Sequence, residues 1–413
     1  MKHIRYAAAA ALLAAVAACT ATGSDDRPGA APADDDGGAP VGDAANAPEE
    51  DARAIDAAPD SGEPDADRPL ICGDAGFCET KLPTSETGLP LSLRSVWSVA
   101  ENDVWSVTDE GLVLHYDGST WKTEYHANHA LSVVWATPTS VWVGGELGLL
   151  LNRNATGQWS QVETWHTSTI RTISGRSDVD VWFSRADGLV DHYDGTALKA
   201  HPIDIPDLRI LTVFSGPSAT YAAGFVDGPP ATLQSGRPPN RYPYVLELTE
   251  DGATVFNAAL PTTAAARGFV PVSAQVTDAP DDNQRIFLFG YFYTWNNYYK
   301  WFDLEGRYML LGPSSPIKLT TVRIPNGRNR WTATATELPR SQPLWAKDWS
   351  NVVLPFSEPY VYIQLLRWDG ATMTPDSLAM GRDFVPRDVF GIHGGLANSW
   401  IVGDGFALKG PTP

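Results

Sequence analysis

Apolar and polar positions alternate in short runs along most of the chain, and from Leu93 onward the runs themselves recur. The first unit carries Leu93-Arg94-Ser95-Val96-Trp97, then Asp103-Val104-Trp105-Ser106-Val107, then Gly111-Leu112-Val113-Leu114-His115-Tyr116-Asp117-Gly118, and Trp121. The second repeats it with Leu131-Ser132-Val133-Val134-Trp135, Ser140-Val141-Trp142-Val143-Gly144, Gly148-Leu149-Leu150-Leu151-Asn152 and Trp159. The third has Ile170-Arg171-Thr172-Ile173, Asp180-Val181-Trp182-Phe183 and Gly188-Leu189-Val190-Asp191-His192-Tyr193-Asp194-Gly195. The leading residues Leu93, Leu131, Ile170 and Leu208 stand 38, 39 and 38 residues apart. Each unit holds three or four β-branched or aromatic runs separated by Gly, Asp, Asn and Ser, which predicts about four short strands per repeat. One small twisted sheet cannot bury both faces, whereas stacking such sheets around an axis covers both and leaves only short edges. A period of this length therefore predicts an all-β fold, a β-propeller, with the recurring Trp residues packed between blades.

Beyond Leu208 the repeat loosens. Arg209–Phe214 and Thr220–Gly224 read as strands, and a Pro- and Gly-rich insertion, Phe225–Pro243, precedes Val245–Leu248. A fifth unit spans roughly 268–317, and a sixth contains Leu366-Arg367-Trp368-Asp369-Gly370. The last unit, from Arg387 to Lys409, stops after its third strand. A strand from before Leu93 would complete it and close the ring. Seven blades fit best, with six or eight left open by the insertions.

The pattern L-x-x-V-W, D-V-W-x-V-G, G-x-V-x-H-Y-D-G-x-x-W resembles repeats of secreted lipoproteins from myxobacteria and their relatives. The resemblance covers residues 93–207 well, 385–410 fairly and the middle poorly. Tyr116-Asp117-Gly118-Ser119-Thr120-Trp121 is also similar to a shortened Asp-box, the structural turn of sialidase-type and photosystem-assembly-factor propellers, and the whole resembles WD-type propellers. The resemblance implies a fold and an exported location, and no activity, because propellers host binding and catalysis alike.

The N-terminal part changes the picture. Residues 1–18 combine a basic start, Lys2 to Arg5, with an apolar run from Tyr6 to Ala18, too short to span a bilayer. The run ends Val16-Ala17-Ala18-Cys19, which resembles the bacterial lipobox. The expectation is cleavage before Cys19, its diacylation, and stable anchoring through two acyl chains. Thr20 rather than Asp follows, so the outer membrane is the expected destination in preference to the inner. Residues 20–68 hold 14 Asp or Glu against three Arg, with no aromatic residue. Such a stretch cannot offset about 1–2 kcal/mol of backbone entropy per residue, and reads as a disordered acidic tether following Cys19. The net charge of the whole chain is −19, which argues against nucleic acid as a partner. Residues 69–92 form a leading segment whose Cys72 and Cys78 are expected to pair as a disulfide, as suits an exported chain, at a gain of about 2 kcal/mol. The propeller proper is then 93–413.

Candidate chemistry is sparse. His115 and His192 occupy the same place in two repeats and read as structural. His126 and His129 have a spacing that could ligate a metal but lack an identifiable third ligand, and His166, His201 and His393 are isolated. No metal or cofactor is expected, and no nucleophile motif stands out. Carboxylate pairs for glycoside hydrolysis would come from different blades, and no pair can be singled out. The unusual segment is Phe287–Phe302, in which 10 of 16 residues are aromatic. It reads as a hairpin turning at Asn296-Asn297, either buried between blades or offering an aromatic platform of Tyr293, Trp295, Tyr298, Tyr299 and Trp301 to a sugar ring or a partner side chain. A weaker candidate is the loop from Gly228 to Arg241, with Arg237. The expected function is a membrane-anchored binding module for a protein or glycan partner in the bacterial envelope, without catalysis. The alternatives are a glycoside hydrolase or lyase working from the central mouth, and a structural component of an envelope complex.

Overall fold

A computed structural model describes residues 71–73, 76–228, 240–278, 284–296, 301–312, 318–321, 344–348, 351–358, 361–369, 372–378, 388–394 and 398–411. All of them belong to the second of two units, Asp67–Pro413. The described strands form seven four-stranded antiparallel sheets. In chain order, sheets I to VI span 93–126, 131–161, 170–200, 208–255, 269–321 and 345–377, and sheet VII spans 389–411. Sheet VII has three consecutive strands of its own, and Cys78–Glu79 supplies the fourth by pairing with Phe406–Pro411. Cys72 and Cys78 lie side by side across an isolated bridge, with Cα atoms 4.0 Å apart.

The first strand of each sheet packs against the first strands of the two sheets beside it, and that of sheet VII meets that of sheet I. This is the radial arrangement of a β-propeller, with the first strands around the axis. Core clusters fill the seams between sheets. At the seam of sheets VII and I, Trp400 packs with Tyr116 and Trp121. Between sheets I and II, Trp105 and Val107 meet Leu131, Val134 and Val143.

The repeat motif has a concrete purpose. In sheet I, Asp103 Oδ1 accepts from Trp105 Nε1 at 2.7 Å and pairs with His115 Nε2 at 3.0 Å, while the His115 ring stacks on Trp105 at 4.2 Å. Sheet III repeats this with Asp180, Trp182 and His192, at 2.8, 2.9 and 3.8 Å. Sheet II replaces the Asp by Ser140 and the His by Asn152, which bond one another at 2.9 Å, and Trp142 Nε1 is left without an acceptor. In sheet VII, Asn398 takes the Asp position and accepts from Trp400 Nε1 at 3.2 Å. The histidines of the motif thus stack on a tryptophan of the neighbouring strand and share its aspartate.

Asp180 makes this testable. Its bond from His192, with help from Arg176 and Trp182, holds its carboxyl down at about 2 against burial, which acts the other way. A depressed carboxylate stabilises the fold above its ordinary value of 3.8 and loses that contribution as the pH falls through about 2. The stability difference between the protein and Asp180→Asn is therefore expected to shrink between pH 4 and pH 2, as followed by urea unfolding; a constant difference would contradict the assignment.

The Asp-Gly turn after the third strand is equally structural. Asp117 Oδ1 accepts from the backbone of Ser119 and Thr120 at 3.0 and 2.9 Å, and Lys122 caps Oδ2 at 2.6 Å. Asp194 does the same with Thr196, Ala197 and Lys199. Gly118 and Gly195 take φ of +97° and +87°, a region in which side chains other than glycine are strained.

Candidate functional site: the axial cavity and its mouth

Six of the seven first strands carry a register shift near their start, after one paired residue in sheets I, II, III and VII and after three in sheets IV and V. The extra residue is Arg94, Ser132, Arg171, Leu211, Val272 and Phe390 in turn. Such a bulge re-aims a side chain out of the ladder. Here it delivers Arg94, Ser132, Arg171 and Phe390 to a cavity of about 580 Å³ on the axis, whose walls come from the first strands of sheets I–V and VII. Further in, hydroxyls tie neighbouring first strands together: Val134 N donates to Ser95 Oγ at 3.3 Å and Val213 N to Thr172 Oγ1 at 2.9 Å.

The two arginines differ. Arg94 is held by both carboxylate oxygens of Asp109 and lies over the Phe390 ring at 4.1 Å, and the bond to Asp109 pushes its pKa up. Arg171 has no ion pair or hydrogen bond among the described residues, and burial alone pushes its pKa down. A guanidinium is charged at any working pH, so this is a partly desolvated cation. His393, also in the wall, is driven down to about 3 by burial and stays neutral. Its Nδ1 accepts from Ser98 N at 3.0 Å and its ring stacks on Trp97 at 4.0 Å.

At the cavity mouth, loops of sheets II and III make a continuous surface. Thr164 Oγ1 donates to Gly148 O at 2.7 Å, Ala186 N to Thr169 O at 2.8 Å, and Asp187 N to Ser168 Oγ at 3.0 Å. Beneath them lies a buried ion cluster. Asp191 pairs with Arg185 at 3.2 Å and with His166 at 3.0 Å, and Arg185 also reaches Asp187 at 3.0 Å. Burial pushes the Asp191 carboxyl up, while Arg185 and His166 pull against it. Three of the six exposed large apolar side chains among the described residues stand on these loops: Leu147 at 58%, Trp165 at 69% and Leu189 at 53% exposure.

Of the residues singled out in the sequence, Cys19, Tyr298, Tyr299 and Arg237 lie outside the described residues. Tyr293 and Trp295 stand in the strand Gln284–Asn296, opposite Leu304 and Phe302, and Trp301 is opposite Asn296; their side chains are outside the description. The two strands form the expected hairpin, but its connection is 297–300 and not a two-residue turn at Asn296-Asn297. The hairpin base is core on both faces, with Phe287, Leu288, Phe289 and Tyr291 all buried. Arg241 pairs with Asp227 at 3.3 Å and lies over Phe225. Among the described residues, His126 and His129 gather no third ligand, and no cluster of three or more His, Cys, Asp or Glu stands ready for a metal. Sequence reading missed Arg171 and the loop trio. The signal that was present is Asp191, which stands where the first two units have Leu114 and Leu151.

No family model matches the chain, and no curated protein does. Among solved structures, YCF48 bound to D1 peptide is similar over 84% of this chain and 100% of its own, at 15% identity and a TM-score of 0.52. YCF48 from Cyanidioschyzon merolae matches over 82% of this chain and 99% of its own, at 16% identity and 0.53. The RRP9 WD40 repeats match over 84% and 100%, at 10% identity and 0.52. At such identities the likeness establishes the fold alone, and the fold is a β-propeller.

Proposed function

We propose that this chain is a lipid-anchored β-propeller of the bacterial envelope that binds an extended protein segment at its axial cavity and performs no chemistry of its own. Anchoring rests on Cys19 following Val16-Ala17-Ala18, with the acidic stretch 20–68 as the tether. An oxidising compartment suits a Cys72–Cys78 disulfide, which would staple the strand Cys78–Glu79 onto a ring of seven blades. A propeller that carries a peptide, as in the structure of YCF48 bound to D1 peptide, supports a segment of protein as the ligand class.

The observation that carries the reading is Arg171, a cation in the cavity with no ion pair or hydrogen bond among the described residues. A glycoside hydrolase would need two carboxylates free to face a common substrate. Of the two among the described residues that line the cavity, Asp109 and Glu146, the first is engaged by Arg94. Arg171 therefore favours recognition of an acidic group over hydrolysis.

The test is an array of octapeptides in pairs that differ only by Glu or Gln, probed with the full chain and with Arg171→Ala. Truncating one partner of a desolvated charge pair costs about 2 kcal/mol or more, close to thirty-fold in affinity. The parent is expected to prefer the Glu members and the variant to lose that preference. A preference that survives in Arg171→Ala, or retention of neutral glycans in place of peptides, would overturn the reading.

A further inference from the structure

Building on that reading, we infer that the loop face at the cavity mouth is the second half of the binding site, and that Leu147, Trp165 and Leu189 take large apolar side chains of the same segment whose carboxylate meets Arg171.

The three side chains are not incidental surface. Leu147 occupies the place of Glu110 in sheet I and Asp187 in sheet III, in each case just before a glycine of positive φ (Gly111, Gly148, Gly188). Sheet II alone of these three puts an apolar residue there, and holds it exposed at φ +55°, a conformation that disfavours leucine. Leu189 corresponds to Leu112, which is half-buried against the core, and to Leu149, which is buried, whereas Leu189 is exposed. Trp165 brings the largest area, in a segment fixed from below by His166 on Asp191.

The loops are rigidly set. A Cβ at Gly148 would come within 2.2 Å of His166 O, so the backbones of the two loops touch. The Arg185–Asp191–His166 cluster locks the Trp165 loop to the strand that leads to Leu189. The surface is also continuous with the cavity, since Glu146 and Thr169 belong to both. Three exposed apolar side chains on loops continuous with the cavity, and a cation in it that is unpaired among the described residues, fit an extended segment with an acidic side chain flanked by Leu, Phe or similar residues.

The probes are fluorescein-labelled octapeptides with a central Glu flanked by Leu and Phe, a version with both flanks replaced by Ser, and the Gln version of each, titrated by anisotropy. The full chain is compared with Leu147→Ser/Trp165→Ser/Leu189→Ser, all exposed positions, and with Arg171→Ala. The triple variant should bind the Leu/Phe peptide at least ten-fold more weakly, at the level of the Ser peptide, while keeping its preference for Glu over Gln. Equal affinity of parent and triple variant for the Leu/Phe peptide would overturn the inference. If Arg171→Ala alone abolished binding, the cavity reading would stand and the apolar half would fall. If no peptide bound the parent, both would fall. A concentration-dependent dimer, seen by ultracentrifugation and abolished in the triple variant, would assign the patch to a second copy and likewise overturn it.

Discussion

Trp400→Ala is expected to destabilise the propeller by about 3–5 kcal/mol, the range for emptying a well-packed site of a large aromatic residue. Trp400 is fully buried, with its ring edge-on to Tyr116 at 4.9 Å and to Trp121 at 5.3 Å. Both partners belong to sheet I, while Trp400 belongs to sheet VII, so the variant opens the seam where the end of the chain meets the first repeat. Surrounding side chains cannot collapse into the space, because Leu114, Val104 and Val402 are already fully packed there. Asn398 Oδ1, itself buried, also loses the indole N–H from which it accepts. Urea unfolding monitored by circular dichroism measures the loss, and a double-mutant cycle with Trp121→Ala should show coupling across the seam. Trp165→Ala is the control: an exposed indole of the same size should change stability by less than about 0.5 kcal/mol. A similar loss in both would mean that burial at the seam is not what holds the ring.

The all-β propeller was legible because the repeat writes its own packing. Asp103, Trp105 and His115 recur as Asp180, Trp182 and His192, since each set makes the same three contacts inside one sheet. The Ser140 and Asn152 pair in sheet II is the same position solved with different chemistry, which an eye for identity overlooks. Sheets IV and V were hard to read for a physical reason: their strands are longer, as in Phe269–Asp278 and Gln284–Asn296, and lack the Asp–Trp–His set. The aromatic richness of that hairpin read as either core or surface, and at its base it is core, with Phe287, Leu288, Phe289 and Tyr291 buried.

The cavity was not legible at all. Arg94 and Arg171 look like ordinary polar positions of a strand until the bulge turns them to the axis, and only ring closure sets Phe390 beside Arg94. Local pattern reports which face of a strand is apolar. It does not report which strands of distant repeats share a wall.

Asp191→Ala is expected to cost about 3–5 kcal/mol, because it leaves the Arg185 guanidinium buried with one partly exposed carboxylate, Asp187, in place of two. The number follows from an asymmetry. The intact cluster gains little, since taking the charges out of water consumes most of their attraction, whereas a lone buried charge has lost its hydration and recovered nothing. The repeat supplies the control that separates these two contributions. Sheet I carries Thr108 where sheet III has Arg185, and Leu114 where it has Asp191. Arg185→Thr/Asp191→Leu removes both charges and restores the apolar packing of the sister sheet, so its stability should return to that of the parent or exceed it by about 1–4 kcal/mol. Urea midpoints of the parent, the single and the double variant give the comparison directly. A double variant as unstable as Asp191→Ala would show that the cluster contributes through its bonds to the loop rather than through the burial of charge. Recovery in the double variant would mean that the ion cluster is dispensable to folding, and would separate the stability of the ring from the bond by which Asp191 holds His166 and the loop that presents Trp165.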